Sequence, residues 1–116
     1  MKRMGKRKYR RVIVKAGTSL LTAGTDELDL NIIRGIVSQI AALRQEGMQM
    51  ILVSSGAVAA GRGAMKVLDG AKGGSAPDLN ERQVLAAIGQ GTLMHVYEQE
   101  FSAFGITTAQ ALVTRR

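Results

Sequence analysis

The sequence predicts an α/β fold built on a parallel sheet. Two apolar runs, Val12-Ile13-Val14 and Ile51-Leu52-Val53, each end abruptly in small, hydroxyl-bearing and glycine residues. Between them, Ile33, Ile36, Val37, Ile40 and Leu43 recur at helical spacing. A strand, a helix and a second strand joined by short turns imply a parallel pair with a right-handed crossover. Neither run alternates cleanly, which fits strands buried on both faces.

Each element has its own local cause. Arg11 to Lys15 is short and β-branched, as a strand requires. Gly17-Thr18-Ser19 begins a turn, and residues 22–27 form a polar loop. Asp29 can cap the following helix, whose off-stripe positions Arg34, Gln39, Arg44 and Gln45 are polar. Gly47 fits the left-handed position that ends a helix. Met48 to Val53 forms the second strand, too apolar to leave a wet face.

After Gly56, residues 57–65 read as a short helix, and residues 69–78 as a loop by composition. Asp78 and Glu81 have the spacing of a capping box. A long helix follows from Asn80 to Phe104, using Val84, Leu85, Ile88, Leu93, Val96, Tyr97 and Phe101. Gly89 and Gly91 are expected to split or kink it, and Gly105 to end it. Thr107 to Thr114 reads as a third strand. Three parallel strands with about three helices would leave sheet faces partly covered, so the C-terminus reads as a cut through a larger domain.

Composition narrows the classes. The chain has 116 residues, 46% of them hydrophobic but only 3% aromatic, so aliphatic side chains and Ala build the core. No cysteine is present, which removes disulfides, thiolate metal sites and cysteine nucleophiles. The net charge of +7 is local: residues 2–11 hold seven basic residues and no acidic one, and the rest is neutral. This run reads as a solvated tail. No apolar stretch follows that could make it a secretory signal or a membrane span, and the chain is expected to be cytoplasmic.

The chemistry lies at the two strand ends. Neither a Gly-x-x-x-x-Gly-Lys-Ser/Thr loop nor a Gly-x-Gly-x-x-Gly turn after a strand occurs. His95 lacks clustered ligand or triad partners and reads as structural. Lys15 sits where a strand leaves the sheet, and open α/β sheets bind ligands at that edge. A lysine there can neutralise charge on a transferring phosphoryl group. Gly17, Thr18 and Ser19 let the backbone approach phosphate oxygens and add hydroxyl donors. Ser54-Ser55-Gly56-Ala57 repeats the arrangement before a helix N-terminus, a place for a carboxylate or a phosphate. Each feature also has a plainer reading: a lysine pointing into water, an ordinary turn, an N-cap serine.

These segments resemble a known family. Val14-Lys15-Ala-Gly17-Thr-Ser19-Leu-Leu-Thr22 and Val53-Ser54-Ser55-Gly56-Ala57-Val-Ala-Ala-Gly61 look like the amino-acid kinase family. Gln83-Val-Leu-Ala-Ala-Ile-Gly89-Gln90, Tyr97-Glu-Gln-Glu-Phe101, Phe104-Gly-Ile106 and Gln110-Ala-Leu-Val-Thr-Arg115 point within it to the branch acting on the side-chain carboxylate of L-glutamate. The likeness is nearly continuous from Arg11 to Arg115.

The resemblance implies an α/β/α sandwich around a parallel sheet, with residues 11–116 as the N-terminal half of the kinase domain and residues 1–10 as a basic tail. It implies transfer of the γ-phosphoryl group of ATP to L-glutamate, giving L-glutamyl 5-phosphate for proline biosynthesis, with Mg²⁺ accompanying ATP. Lys15 would be the catalytic lysine, bridging nucleotide and acceptor. Lys15, Gly17, Thr18 and Ser19 would face the ATP phosphates, and Ser55, Gly56 and Ala57 would hold glutamate. The family's second half supplies further acidic and Asn residues, another lysine and the adenine pocket, so these 116 residues are expected to be inactive alone. A homo-oligomer is expected of the whole protein. Neither a membrane nor nucleic acid is an expected partner.

Other readings remain. An acetylglutamate or carbamate kinase would share the strand-end motifs, though the second half of the chain argues against both. A remnant that keeps the fold without activity is compatible with the sequence. An RNA-binding module using the basic tail is disfavoured because Tyr9 is the only nearby aromatic for stacking.

Overall fold

The structure, a computed structural model, describes residues 10–69 and 79–112. Its elements are β1 (Arg11–Ala16), α1 (Thr18–Thr22), α2 (Leu30–Gln45), β2 (Gln49–Ser54), α3 (Ala57–Asp69) and α4 (Leu79–Ser102). The two strands are parallel, with Ile13 opposite Ile51 and Lys15 opposite Val53. The Gln49 amide donates to the Arg10 carbonyl at 2.8 Å and the Ser55 amide to the Ala16 carbonyl at 3.0 Å, extending the pairing at both ends. The α/β class is therefore borne out.

Helix α2 starts where its cap predicts. The Asp29 carboxylate accepts from the Asn31 amide at 2.9 Å and the Ile32 amide at 3.3 Å. Two of the otherwise unpaired first-turn N–H groups are thereby satisfied, a contribution of about 1 kcal/mol. Helix α2 ends at Gly47, which adopts φ +95°, a conformation that costs glycine little. Ile33, Val37 and Ile40 form its buried face. They meet Leu93, Tyr97 and Phe101 of α4, together with Ala16, Leu21 and Ala60, in one core. Burying each large aliphatic side chain of this cluster contributes about 1.5–3 kcal/mol.

Helices cover one face of the sheet. Val14, Met50 and Leu52 pack against the core, whereas Ile13, Ile51 and Val53 on the other face are 67%, 53% and 47% exposed. This corrects the expectation that neither strand has an open face. An apolar run reports what a face can bury, but an element must be present to cover it.

Several other boundaries differ. Residues 18–22, expected as turn and loop, form the one-turn helix α1, closed by Ala23 at φ 52°. Helix α3 continues to Asp69 instead of stopping near Met65. No strand forms over residues 107–112, which overturns the third-strand expectation there. Their β-branched residues satisfy the propensity of a strand, but no strand ladder receives their backbone groups. The rest of that expected strand, the loop at residues 70–78, the cap at Asp78 and all but Arg10 of the basic tail lie outside the described residues.

Helix α4 is unbroken through Gly89 and Gly91, contrary to the expected split. Gly89 is instead where α4 crosses α3. A side chain there would collide with the Ala57 carbonyl, and one at Gly61 would collide with the Leu85 backbone. The two glycines let the helix backbones touch. Intrahelical hydrogen bonding survives because glycine weakens a helix by only about 1 kcal/mol.

Candidate active site

The crossover brings the two strand-end motifs into contact. Thr18, the first residue of α1, donates from Oγ1 to Ser55 Oγ at 3.0 Å. Ser55 Oγ donates in turn to the Ala16 carbonyl at 3.3 Å, which also accepts the Ser55 amide. The ends of β1 and β2 are thus joined by side-chain and backbone bonds at one point. Gly56 follows at φ +107°, between the Leu21 and Leu28 side chains, where a Cβ would stand 3.2 Å from Leu21 and 3.3 Å from Leu28. Only glycine suits both the conformation and the space. The chain then turns into α3 at Ala57.

Tyr97 supports this turn from beneath. Its side chain is buried, and its hydroxyl lies 2.8 Å from Ser54 Oγ. Ser54 Oγ donates to the Ser55 carbonyl at 2.8 Å, so both hydroxyls are satisfied when Tyr97 donates to Ser54. Burial pushes the Tyr97 phenol above its ordinary value of 10.0, and the bond with Ser54 offsets part of that rise. Thr22, the buried last residue of α1, donates from Oγ1 to the Thr18 carbonyl at 2.9 Å. Among the described residues no buried side-chain polar atom lacks a partner.

An open cavity of about 400 Å³ lies against this turn, within the usual range for small-molecule sites. Thr18, Ser55, Gly56 and Ala57 line it, as do Thr22, Thr25 and Asp26 after β1, and Arg62 of α3 and Arg82 of α4. Four of the sequence-expected site residues therefore share one cavity. Lys15, Gly17 and Ser19 do not line it. Lys15 projects from the exposed face of the sheet beside Ile13 and Val53, one residue before Ala16 turns inward. His95 is exposed on α4.

Sequence reading missed Arg62, Arg82 and Asp26. Gly61-Arg62-Gly63 carries no recognisable spacing, and Arg82 is one charge among several at a helix start. Their convergence depends on the close crossing of α3 and α4, which no local pattern announces.

No group of three or more His, Asp or Glu among the described residues could hold a metal ion. No helix among them is long and apolar enough to cross a membrane.

Residues 10–116 match the amino acid kinase family. Glutamate 5-kinase of Chlorobaculum tepidum is 47% identical over 107 residues, covering 92% of this chain and 28% of that protein. Glutamate 5-kinase of Dehalococcoides mccartyi strain CBDB1 is 48% identical over 107 residues, 92% of this chain and 27% of that protein. Glutamate 5-kinase of Geobacter sulfurreducens is 43% identical over 108 residues, 93% of this chain and 28% of that protein. The chain spans little more than a quarter of the length of these relatives. With a parallel strand–helix–strand unit whose two small-residue strand ends meet at one cavity, and with this match over nearly its whole length, the chain belongs to the amino acid kinase family.

Proposed function

We propose that this chain carries the phosphoryl-side and glutamate-side strand ends of an ATP-dependent kinase acting on the side-chain carboxylate of L-glutamate, the first step of proline biosynthesis. The Thr18–Ser55 hydrogen bond carries this reading, because it puts the end of β1 against the end of β2 at the mouth of one cavity. The likeness to glutamate 5-kinases supports the choice of substrate.

In this reading one oxygen of the glutamate side-chain carboxylate attacks the γ-phosphorus of ATP. The bond from that phosphorus to the bridging oxygen of ADP breaks, and L-glutamyl 5-phosphate and ADP result. A carboxylate is already a nucleophile, so positioning and charge neutralisation do most of the catalytic work. Ser55, with the Gly56 and Ala57 backbone at the start of α3, holds glutamate from the cavity side. Gly17, Thr18 and Ser19 meet the phosphates. Lys15 reaches the transferring group from the sheet's open side and offsets the charge that builds in the transition state. Mg²⁺ arrives with ATP on its phosphates, and no step here runs through a metal held by the described residues. A cytoplasmic homo-oligomer is the setting of this reading, with residues 11–116 as one part of a kinase domain. The remaining glutamate and adenine contacts come from outside this chain, which is inactive alone.

A chimaera tests it. The matching segment of the Chlorobaculum tepidum relative is replaced by residues 10–116 of this chain, and glutamyl phosphate is trapped with hydroxylamine as the hydroxamate. ATP- and glutamate-dependent hydroxamate is expected from the chimaera and none from the 116-residue chain. A folded chimaera that consumes ATP with carbamate or acetylglutamate but not with glutamate would overturn the reading.

A further inference from the structure

We propose that Arg62 and Arg82 form the end of the glutamate site that recognises the substrate's α-carboxylate; this rests on the glutamate-kinase reading above. Both arginines line the cavity that Thr18 and Ser55 also line. Among the described residues, neither is engaged in an ion pair. An arginine without an ion pair presents a planar fork of donors that matches a carboxylate in bidentate hydrogen bonds.

Position assigns the carboxylate. The reacting end of the substrate must lie at the strand ends, where Thr18 and Ser55 line the cavity. Arg62 lies five residues into α3 from Ala57, about 7.5 Å along the axis. Its side chain leans back toward the helix N-terminus and so toward the cavity. Arg82 enters from the first turn of α4. Arg62 thus stands about one and a half helical turns along α3 from the strand-end residues. Among the described residues, the one acidic residue on the lining is Asp26, whose Oδ2 contacts Lys66 at 3.5 Å. Its other oxygen is available to an ammonium group. Two cations and one anion on the lining complement the two carboxylates and one ammonium of glutamate.

The test is titration of the 116-residue chain, followed by NMR chemical shifts, with L-glutamate and with 4-aminobutyrate, which is glutamate without its α-carboxylate. Wild type is expected to bind glutamate more tightly than 4-aminobutyrate. Arg62→Gln and Arg82→Gln should each weaken glutamate binding about tenfold or more, the scale of a lost charge-assisted bond, and leave 4-aminobutyrate binding nearly unchanged. Arg62→Lys should fall between, since it keeps the charge but loses the planar fork. Amide spectra of each variant must match wild type away from the cavity; Arg→Ala variants replace any that do not. Glutamate affinity that survives both Gln variants, or equal losses for the two ligands, overturns the proposal and leaves the glutamate reading standing. A wild-type chain that binds neither ligand overturns the proposal, and the chimaera decides the glutamate reading separately.

Discussion

The Tyr97 hydroxyl meets Ser54 Oγ at 2.8 Å, and Ser54 passes the contact on to the Ser55 carbonyl. A buried side chain of α4 thereby props the turn that presents Ser55 to the cavity. Tyr97→Phe removes the hydroxyl while keeping the ring against Phe101, whose centroid lies 6.5 Å away. The expected loss is about 1 kcal/mol, the net worth of one partly buried hydrogen bond. Tyr97→Ala removes the ring as well and should cost about 3–5 kcal/mol. Urea denaturation of the two variants checks the difference.

The same phenol makes stability depend on alkaline pH. Its folded-state value lies above 10.0 because burial disfavours the phenolate. The folded state therefore holds this proton more tightly than the unfolded chain. That contribution is whole below about pH 10 and is lost as pH rises through the folded value. Urea midpoints measured from about pH 9 to about pH 12 should fall more steeply for wild type than for Tyr97→Phe. Parallel curves would contradict the assignment.

Gly61 and Gly89 make a separate prediction. Each lies where a Cβ would strike the backbone of the facing helix. Gly91, on the same helix as Gly89, has open space around it. Gly91→Ala should stabilise the chain slightly, because alanine favours a helix by about 1 kcal/mol over glycine. Gly61→Ala and Gly89→Ala should instead destabilise it by about 1–3 kcal/mol or more, since the helices must move apart. Thermal denaturation of the three variants separates helix propensity from close approach.

These contacts show which parts of the fold were legible in the sequence. Strand β1, the Asp29 cap, the stripe of α2 and the Gly47 stop are local signals, and each element formed within a residue or two of its expected bounds. Thr18 and Ser55 could be placed at neighbouring strand ends because a parallel crossover leaves little choice. Other features depend on neighbours. Gly89 reads as a helix breaker until α3 is seen against it, and Thr107 reads as a strand residue until a pairing edge is required. The open face at Ile13 and Ile51 is equally a matter of what stands opposite. Arg62 and Arg82 reach the same cavity only because two glycines let α3 and α4 touch.

In the proposed function the two strand ends perform different tasks, and steady-state kinetics of the chimaera separates them. Lys15→Ala should lower kcat about a hundredfold or more with little change in KM for glutamate, because its charge acts on the transition state. Ser55→Ala should raise KM for glutamate about tenfold through a lost hydrogen bond to a charged group. A KM effect without a kcat effect at Lys15, or a kcat effect without a KM effect at Ser55, would contradict this division of the site.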